Sequence, residues 1–208
     1  MKETPFNPDK IKATSMVFPD ISEPNSNIVF HGSSCAYAPR IESLGFEQDY
    51  RPWQNDFLLE AATIIRDISV KDADTIESAV HIPVKLSFAK SSISALKYAI
   101  TKPGGQTLSF LLPYLKELRK HSCKIVPLLD KVNTSNNCVY AVDLSTIPAL
   151  NMTAEISISH HVSAPVPISA LVDKVIIPRE TKLEDVIVQI KPQYDLSSIY
   201  EEIRKTQQ

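Results

Sequence analysis

Asn27-Ile28-Val29-Phe30-His31-Gly32-Ser33-Ser34, followed by a segment that ends at Leu44-Gly45-Phe46, is the stretch from which the fold is read. Ile28, Val29 and Phe30 are a short run of β-branched and aromatic residues, the pattern of a buried strand. The strand is expected to end at His31-Gly32, because glycine lacks a Cβ, lets the backbone turn sharply and lets another molecule approach its N–H and C=O. From Ala36 to Leu44 the residues Tyr37, Ile41 and Leu44 recur at helical spacing, and Gly45 stands where a helix-ending glycine belongs. The chain has four glycines, and two of them punctuate this unit.

A chain of 208 residues is long enough for one domain with a sizeable core. Its 43% hydrophobic and 22% charged residues are those of a soluble globular protein, and a net charge of −2 gives no reason to expect a nucleic-acid-binding surface. Cys35, Cys123 and Cys138 are an odd number without paired or metal-type spacing, which points to reduced thiols in a reducing compartment. No run approaches the length of a membrane span and no basic-then-apolar signal pattern opens the chain. The expected location is therefore the cytoplasm, or a host cytosol if the protein is delivered as an effector.

Along the chain, residues 1–26 carry Pro5, Pro8, Pro19 and Pro24 among polar residues and read as an extended arm, packed on the domain through Phe6, Met16, Val17 and Phe18. Residues 27–208 read as a single domain. Residues 53–68 are the best amphipathic helix, with a shorter one at 73–80. Val84 to Phe88 alternates as a half-buried strand does, and Ser91 to Thr101 is helical until Pro103-Gly104-Gly105. A helix falls within 107–121, with Pro113 in its first turn or kinking it. Its basic end, Lys116, Arg119, Lys120 and His121, reads as a solvated helix terminus. Asn133 to Asn137 is a polar turn. Strands follow at 138–144, 154–159, 172–177 and 186–190, and a terminal helix at 196–206. Strands cluster late and helices lie in the middle, which is the pattern of an α+β domain on a mostly antiparallel sheet.

Three of these segments together resemble the ADP-ribosyltransferase superfamily, in particular its His-Tyr-Glu group, the poly(ADP-ribose) polymerase and diphtheria toxin-like catalytic domains. The first is His31-Gly32-Ser33-Ser34 with Ile41, Ser43 and Gly45-Phe46. The second is Leu86-Ser87-Phe88-Ala89-Lys90-Ser91 with Tyr98, ten residues after Phe88, in the following helix. The third is Ala154-Glu155-Ile156-Ser157-Ile158, a carboxylate opening a strand, followed by Val166-Pro167-Ile168 and the strand at 172–177. The resemblance implies two mostly antiparallel sheets forming an NAD cleft with flanking helices. The family's serine three residues before the tyrosine is Ala95 here, with Ser94 beside it. Thr153 stands where arginine-modifying members carry Glu or Gln, and a Ser-Thr-Ser strand motif is missing, so modification of arginine is disfavoured.

By that resemblance NAD is the substrate and no metal is needed. Breaking the bond between nicotinamide and ribose passes through an oxocarbenium-like centre, which a nearby carboxylate stabilises. Glu155 is the candidate carboxylate, Tyr98 the ring that stacks on nicotinamide, with Phe88 or Tyr140 as a second aromatic. Gly32 would offer N–H and C=O to the carboxamide, His31 would bind the adenosine ribose, and Ser33 and Ser94 would assist. His160-His161 are adjacent and point to opposite faces of a strand, which argues against a metal pair. The expected activity is mono-ADP-ribosyl transfer of the toxin or effector kind, with release of nicotinamide. A protein acceptor is favoured over nucleic acid and no membrane is implied. NAD hydrolysis by the same cleft, and a non-catalytic ADP-ribose or protein-binding module of the same fold, are the alternatives.

Overall fold

The computed structural model describes residues 1–21, 27–47, 50–82, 86–147, 152–155, 159–162 and 165–187, with 152–155 and 159–162 given as backbone path. The architecture is α+β. Its chain order is β1 (Lys2–Glu3), α1 (Pro8–Thr14), β2 (Ile28–Ser34), α2 (Ala38–Leu44), α3 (Asn55–Arg66), α4 (Val70–His81), β3 (Leu86–Ala89) and α5 (Ser92–Thr101). Then come α6 (Gln106–Leu111), α7 (Leu115–Lys120), α8 (Val126–Thr134), β4 (Asn137–Asp143), β5 (Met152–Glu155), β6 (Ser159–Val162), β7 (Leu171–Ile177) and α9 (Leu183–Val186).

The strands form one sheet in the order β1-β7-β4-β2-β3-β6-β5, antiparallel except for β1 beside β7. This corrects the expectation of two sheets: the halves are hydrogen-bonded into one surface. They meet, however, at a single registered pair, Phe30 opposite Ala89, whereas β2 and β4 are in register from Ile28 and Asp143 to Ser34 and Asn137. The sheet is therefore two well-laddered parts joined along a seam between β2 and β3.

Alternation along β2 separates two cores. Val29 packs with Cys138, Tyr140, Val142 and Phe46 on one face, while Phe30 packs with Ala95, Leu96 and Ala99 of α5 on the other. A third core lies among α3, α4, α6, α7 and α8. Strand β2 does not end at His31-Gly32 as expected but runs to Ser34, because β4 offers partners through Asn137. Gly32 is needed for a different reason. A Cβ there would stand 2.1 Å from the carbonyl oxygen of Ala95, so only glycine lets α5 lie this close across the strand. Gly45 does end α2, with a φ of 78° and its N–H bonded to Ile41 O.

Several boundaries differ from expectation. The arm is extended only in part: Asn7 caps α1 by accepting from the Lys10 N–H, and Pro8 sits in its first turn, so residues 8–14 coil. Val17 and Phe18 are buried as foreseen. Pro113 falls in a 3-10 turn that divides the expected 107–121 helix into α6 and α7. Helix α8 has no counterpart in the sequence pattern, and because it runs to Thr134 and β4 starts at Asn137, the polar turn expected at 133–137 shrinks to residues 135 and 136. Val186 ends a short helix instead of opening a strand, while residues 188–190 and the terminal helix expected at 196–206 lie outside the described residues. Among the described residues no helix is long and apolar enough to cross a membrane.

Candidate functional site

The seam opens into a cavity of about 380 Å³ lined by Phe30, His31 and Gly32 of β2, by Ser87, Phe88 and Ala89 of β3, and by Ser94, Ala95 and Tyr98 of α5. Gln106, the first residue of α6, completes it. Segments that the sequence holds far apart, ending at residues 32, 89 and 98, thus meet in one place.

The backbone of β2 supplies the least obvious feature. Just beyond the two ends of the β2–β4 ladder, the Leu144 N–H donates to Asn27 O at 2.9 Å and the Cys35 N–H donates to Asn136 O at 2.8 Å. Hydrogen-bonded pairs alternate along an antiparallel ladder, so Val29, His31 and Ser33 bond to β4 and the amides of Phe30 and Gly32 point the opposite way. Phe30 meets Ala89 there. Gly32 has no registered partner on that side among the described residues, and its N–H and C=O point across the seam toward β3. A donor and an acceptor on one residue edge match a primary carboxamide, which carries both.

His31 spans the gap. Its Nδ1 lies 3.0 Å from the carbonyl oxygen of Ser87. A carbonyl only accepts, so Nδ1 carries the hydrogen and Nε2 keeps its lone pair. The ring stands 4.7 Å from Phe46 and 5.4 Å from Phe88 between centroids. Burial lowers its pKa below the ordinary 6.5, against a smaller opposite effect of the Ser87 carbonyl, so the imidazole is neutral at pH 7. Phe88 is 1% exposed and forms a wall instead of a free stacking face.

Tyr98 differs: it is 41% exposed at the cavity edge. Desolvation raises the pKa of its phenol while the Gln106 backbone N–H, bonded to it, acts the other way, so the ring is an uncharged platform. Ser94 lies at the exposed rim and Ala95 is buried beneath it. Ser33 is buried and is not among the lining residues. Nor is Tyr140, whose hydroxyl donates to Glu42 at 3.2 Å inside the opposite core, so of those two aromatics Phe88 lines the cavity, as Phe30 does, and Tyr140 does not.

Glu155 is the last residue of β5, not the first of a strand as expected. It is in register with Ser159, and Ser159 with Ala89, a cavity residue. Its Cα is thus two strands out from Ala89, about 10 Å at ordinary strand spacing. Its side chain, like those of His160 and His161, lies outside the described residues.

Two residues escaped the sequence reading. Gln106 follows Pro103-Gly104-Gly105, a run that signals a corner and not a binding residue. Ser87 contributes through its carbonyl, which no side-chain pattern reports. Three residues of the basic end of α7 have local acidic partners: Lys120 and His121 pair with Glu117 at 2.5 and 3.3 Å, and Arg119 pairs with Asp130. Among the described residues no group of three or more His, Cys, Asp or Glu could hold a metal ion. In comparisons with family models, curated proteins and solved structures, nothing matches this chain.

Proposed function

We propose that the seam cavity binds the nicotinamide end of NAD and that the chain is a mono-ADP-ribosyltransferase of the His-Tyr-Glu kind. The observation that carries this reading is the unladdered N–H and C=O of Gly32, in the same cavity as His31 and Tyr98. The carboxamide of nicotinamide pairs with that backbone edge, and the Tyr98 ring covers the pyridine ring. Nε2 of His31 accepts from a ribose hydroxyl. A cavity of about 380 Å³ suits one nucleoside-sized half of the dinucleotide. Gln106 also borders a second cavity of about 260 Å³ beside Trp53 and Phe110, which leaves room for the remainder.

Glu155 takes its role from the resemblance. Its carboxylate stabilises the oxocarbenium-like ribose as the glycosidic bond breaks and nicotinamide leaves, and it orients the nucleophile of a protein acceptor. Labelled NAD added to a cell lysate with the wild-type chain should label discrete proteins and release nicotinamide, and Glu155→Gln should abolish both. Release of nicotinamide at the full rate without lysate would assign the cleft to hydrolysis. NAD binding with no turnover in any mixture would assign it to a binding module.

A further inference from the structure

On the sheet face opposite α5, beyond His31, lie Cys35, Cys138, Tyr140 and Lys174, side chains that the cleft does not use. Residues 29, 31, 33 and 35 share one face on and just after β2, and Cys138 and Tyr140 share it on β4. Ser33 is directly opposite Cys138, so Cys35, two positions on, is the diagonal neighbour of Cys138. The Cys35 thiol donates to the carbonyl of Asn137 at 3.3 Å, next to Cys138 in the chain. Lys174, 9% exposed at its side chain, lies on the same side of the sheet and is held between Glu3 and Glu42 at 2.9 Å each. From this placement we infer that Cys35 and Cys138 are an oxidisable pair that closes into a reversible disulfide.

The two thiols are unequal in a way that suits the chemistry. The Cys138 thiol, hydrogen-bonded to Cys35, and then Lys174 favour a thiolate at Cys35, which is half-buried, while the same contact and burial push Cys138 up. Cys35 is thus the attacking sulfur and Cys138 the resolving one. A diagonal pair in a regular ladder has Cα atoms about 7–8 Å apart, and a disulfide needs at most about 6.8 Å, so closure draws the strand end in by about an ångström. Cys35 lies just beyond the last residue of β2, where such a shift costs least, and the resulting bond is readily reduced.

With glutathione disulfide as oxidant, the Cys35 thiolate attacks one of its sulfurs, the S–S bond breaks and one glutathione leaves as thiolate. Cys138 then loses its proton to that thiolate and attacks the Cys35 sulfur, expelling the second glutathione. Two hydrogens leave the protein and two reduced glutathiones form.

The test is to equilibrate the native full chain with mixtures of reduced and oxidised glutathione, trap the thiols by alkylation and map them by mass spectrometry. A Cys35–Cys138 crosslink that rises to most of the protein, and is lost again on adding reduced glutathione, is the expected result. Cys123, buried among the helices, should be alkylated only after unfolding. Cys35→Ser should remove the crosslink, and Cys138→Ala should leave Cys35 as a mixed disulfide with glutathione. The wild-type map stands alone if Cys138→Ala fails to fold. Two free thiols, or a wild-type chain that stops at the mixed disulfide, would overturn the inference.

Discussion

The Nδ1–H of His31 donates to the carbonyl oxygen of Ser87 across the line where β2 and β3 part, at 3.0 Å. A side chain thus does what the ladder does elsewhere in the sheet, and it holds the two halves at the width of the cavity.

Removing it should loosen the seam. His31→Ala deletes that bond and the ring contacts to Phe46 and Phe88, a loss of about 1–3 kcal/mol of stability for a half-buried polar aromatic. Urea unfolding measures it. Hydrogen exchange should localise the added opening to β3, not to the fully laddered β4.

The same histidine sets a pH dependence. Its folded pKa lies below its unfolded 6.5, so the unfolded chain binds the proton first as pH falls. The contribution to stability is complete above 6.5 and is lost as pH falls through the folded value. NMR titration of the imidazole should place its midpoint below 6.5, and NAD affinity should be flat across neutral pH and fall only on acidification past that midpoint. A midpoint above 6.5 would mean that a negative group, not burial, governs the ring.

Gly32→Ala tests why that glycine is there. The added methyl would sit 2.1 Å from Ala95 O and 2.9 Å from Ala99 N, both backbone atoms of α5, which cannot rotate away. The helix must lift, at a cost of about 1–3 kcal/mol or more, and the cavity wall carrying Tyr98 moves with it. Both a lower urea midpoint and weaker NAD binding are expected, the two effects appearing together.

How much of this was legible beforehand depended on what signals a sequence carries. The amphipathic pattern of α3 and the Gly45 stop are local, and both are found in place; Phe88 and Tyr98, ten residues apart, both line the cavity. The corner expected at His31-Gly32 was wrong, because what glycine accommodates is the backbone of a helix sixty residues on, which no local pattern reports. Helix α8 buries only Leu129 and Val132 within its nine residues and begins at Val126-Pro127, so its periodicity was too short to stand out beside the polar run 133–137. The single-pair seam between β2 and β3 is a property of strand pairing, and no residue type announces it.

Tyr98 should separate binding from folding. Because its ring is 41% exposed, Tyr98→Ala should leave the urea midpoint nearly unchanged while weakening NAD binding roughly fivefold, about 1 kcal/mol of stacking. Tyr98→Phe keeps the ring and should bind NAD within about twofold of wild type. Calorimetry on both variants checks this.

The N-terminal segment makes a prediction far from the cavity. Asp173, 3% exposed, accepts from the Thr4 N–H at 3.0 Å and the Thr4 hydroxyl at 2.7 Å, and so fixes β1 against β7. Asp173→Ala strands those donors, at about 1–3 kcal/mol, and should make residues 1–20 the first site of limited proteolysis.

The most direct test is to titrate nicotinamide into the isotope-labelled chain and follow backbone amides by NMR. If the open edge of β2 receives the carboxamide, the Gly32 amide shifts with saturation, Tyr98 ring signals move with it, and benzene-like analogues lacking the carboxamide leave Gly32 in place. Saturating shifts elsewhere with Gly32 unmoved, or no shift at all, would contradict the cavity's assignment to nicotinamide.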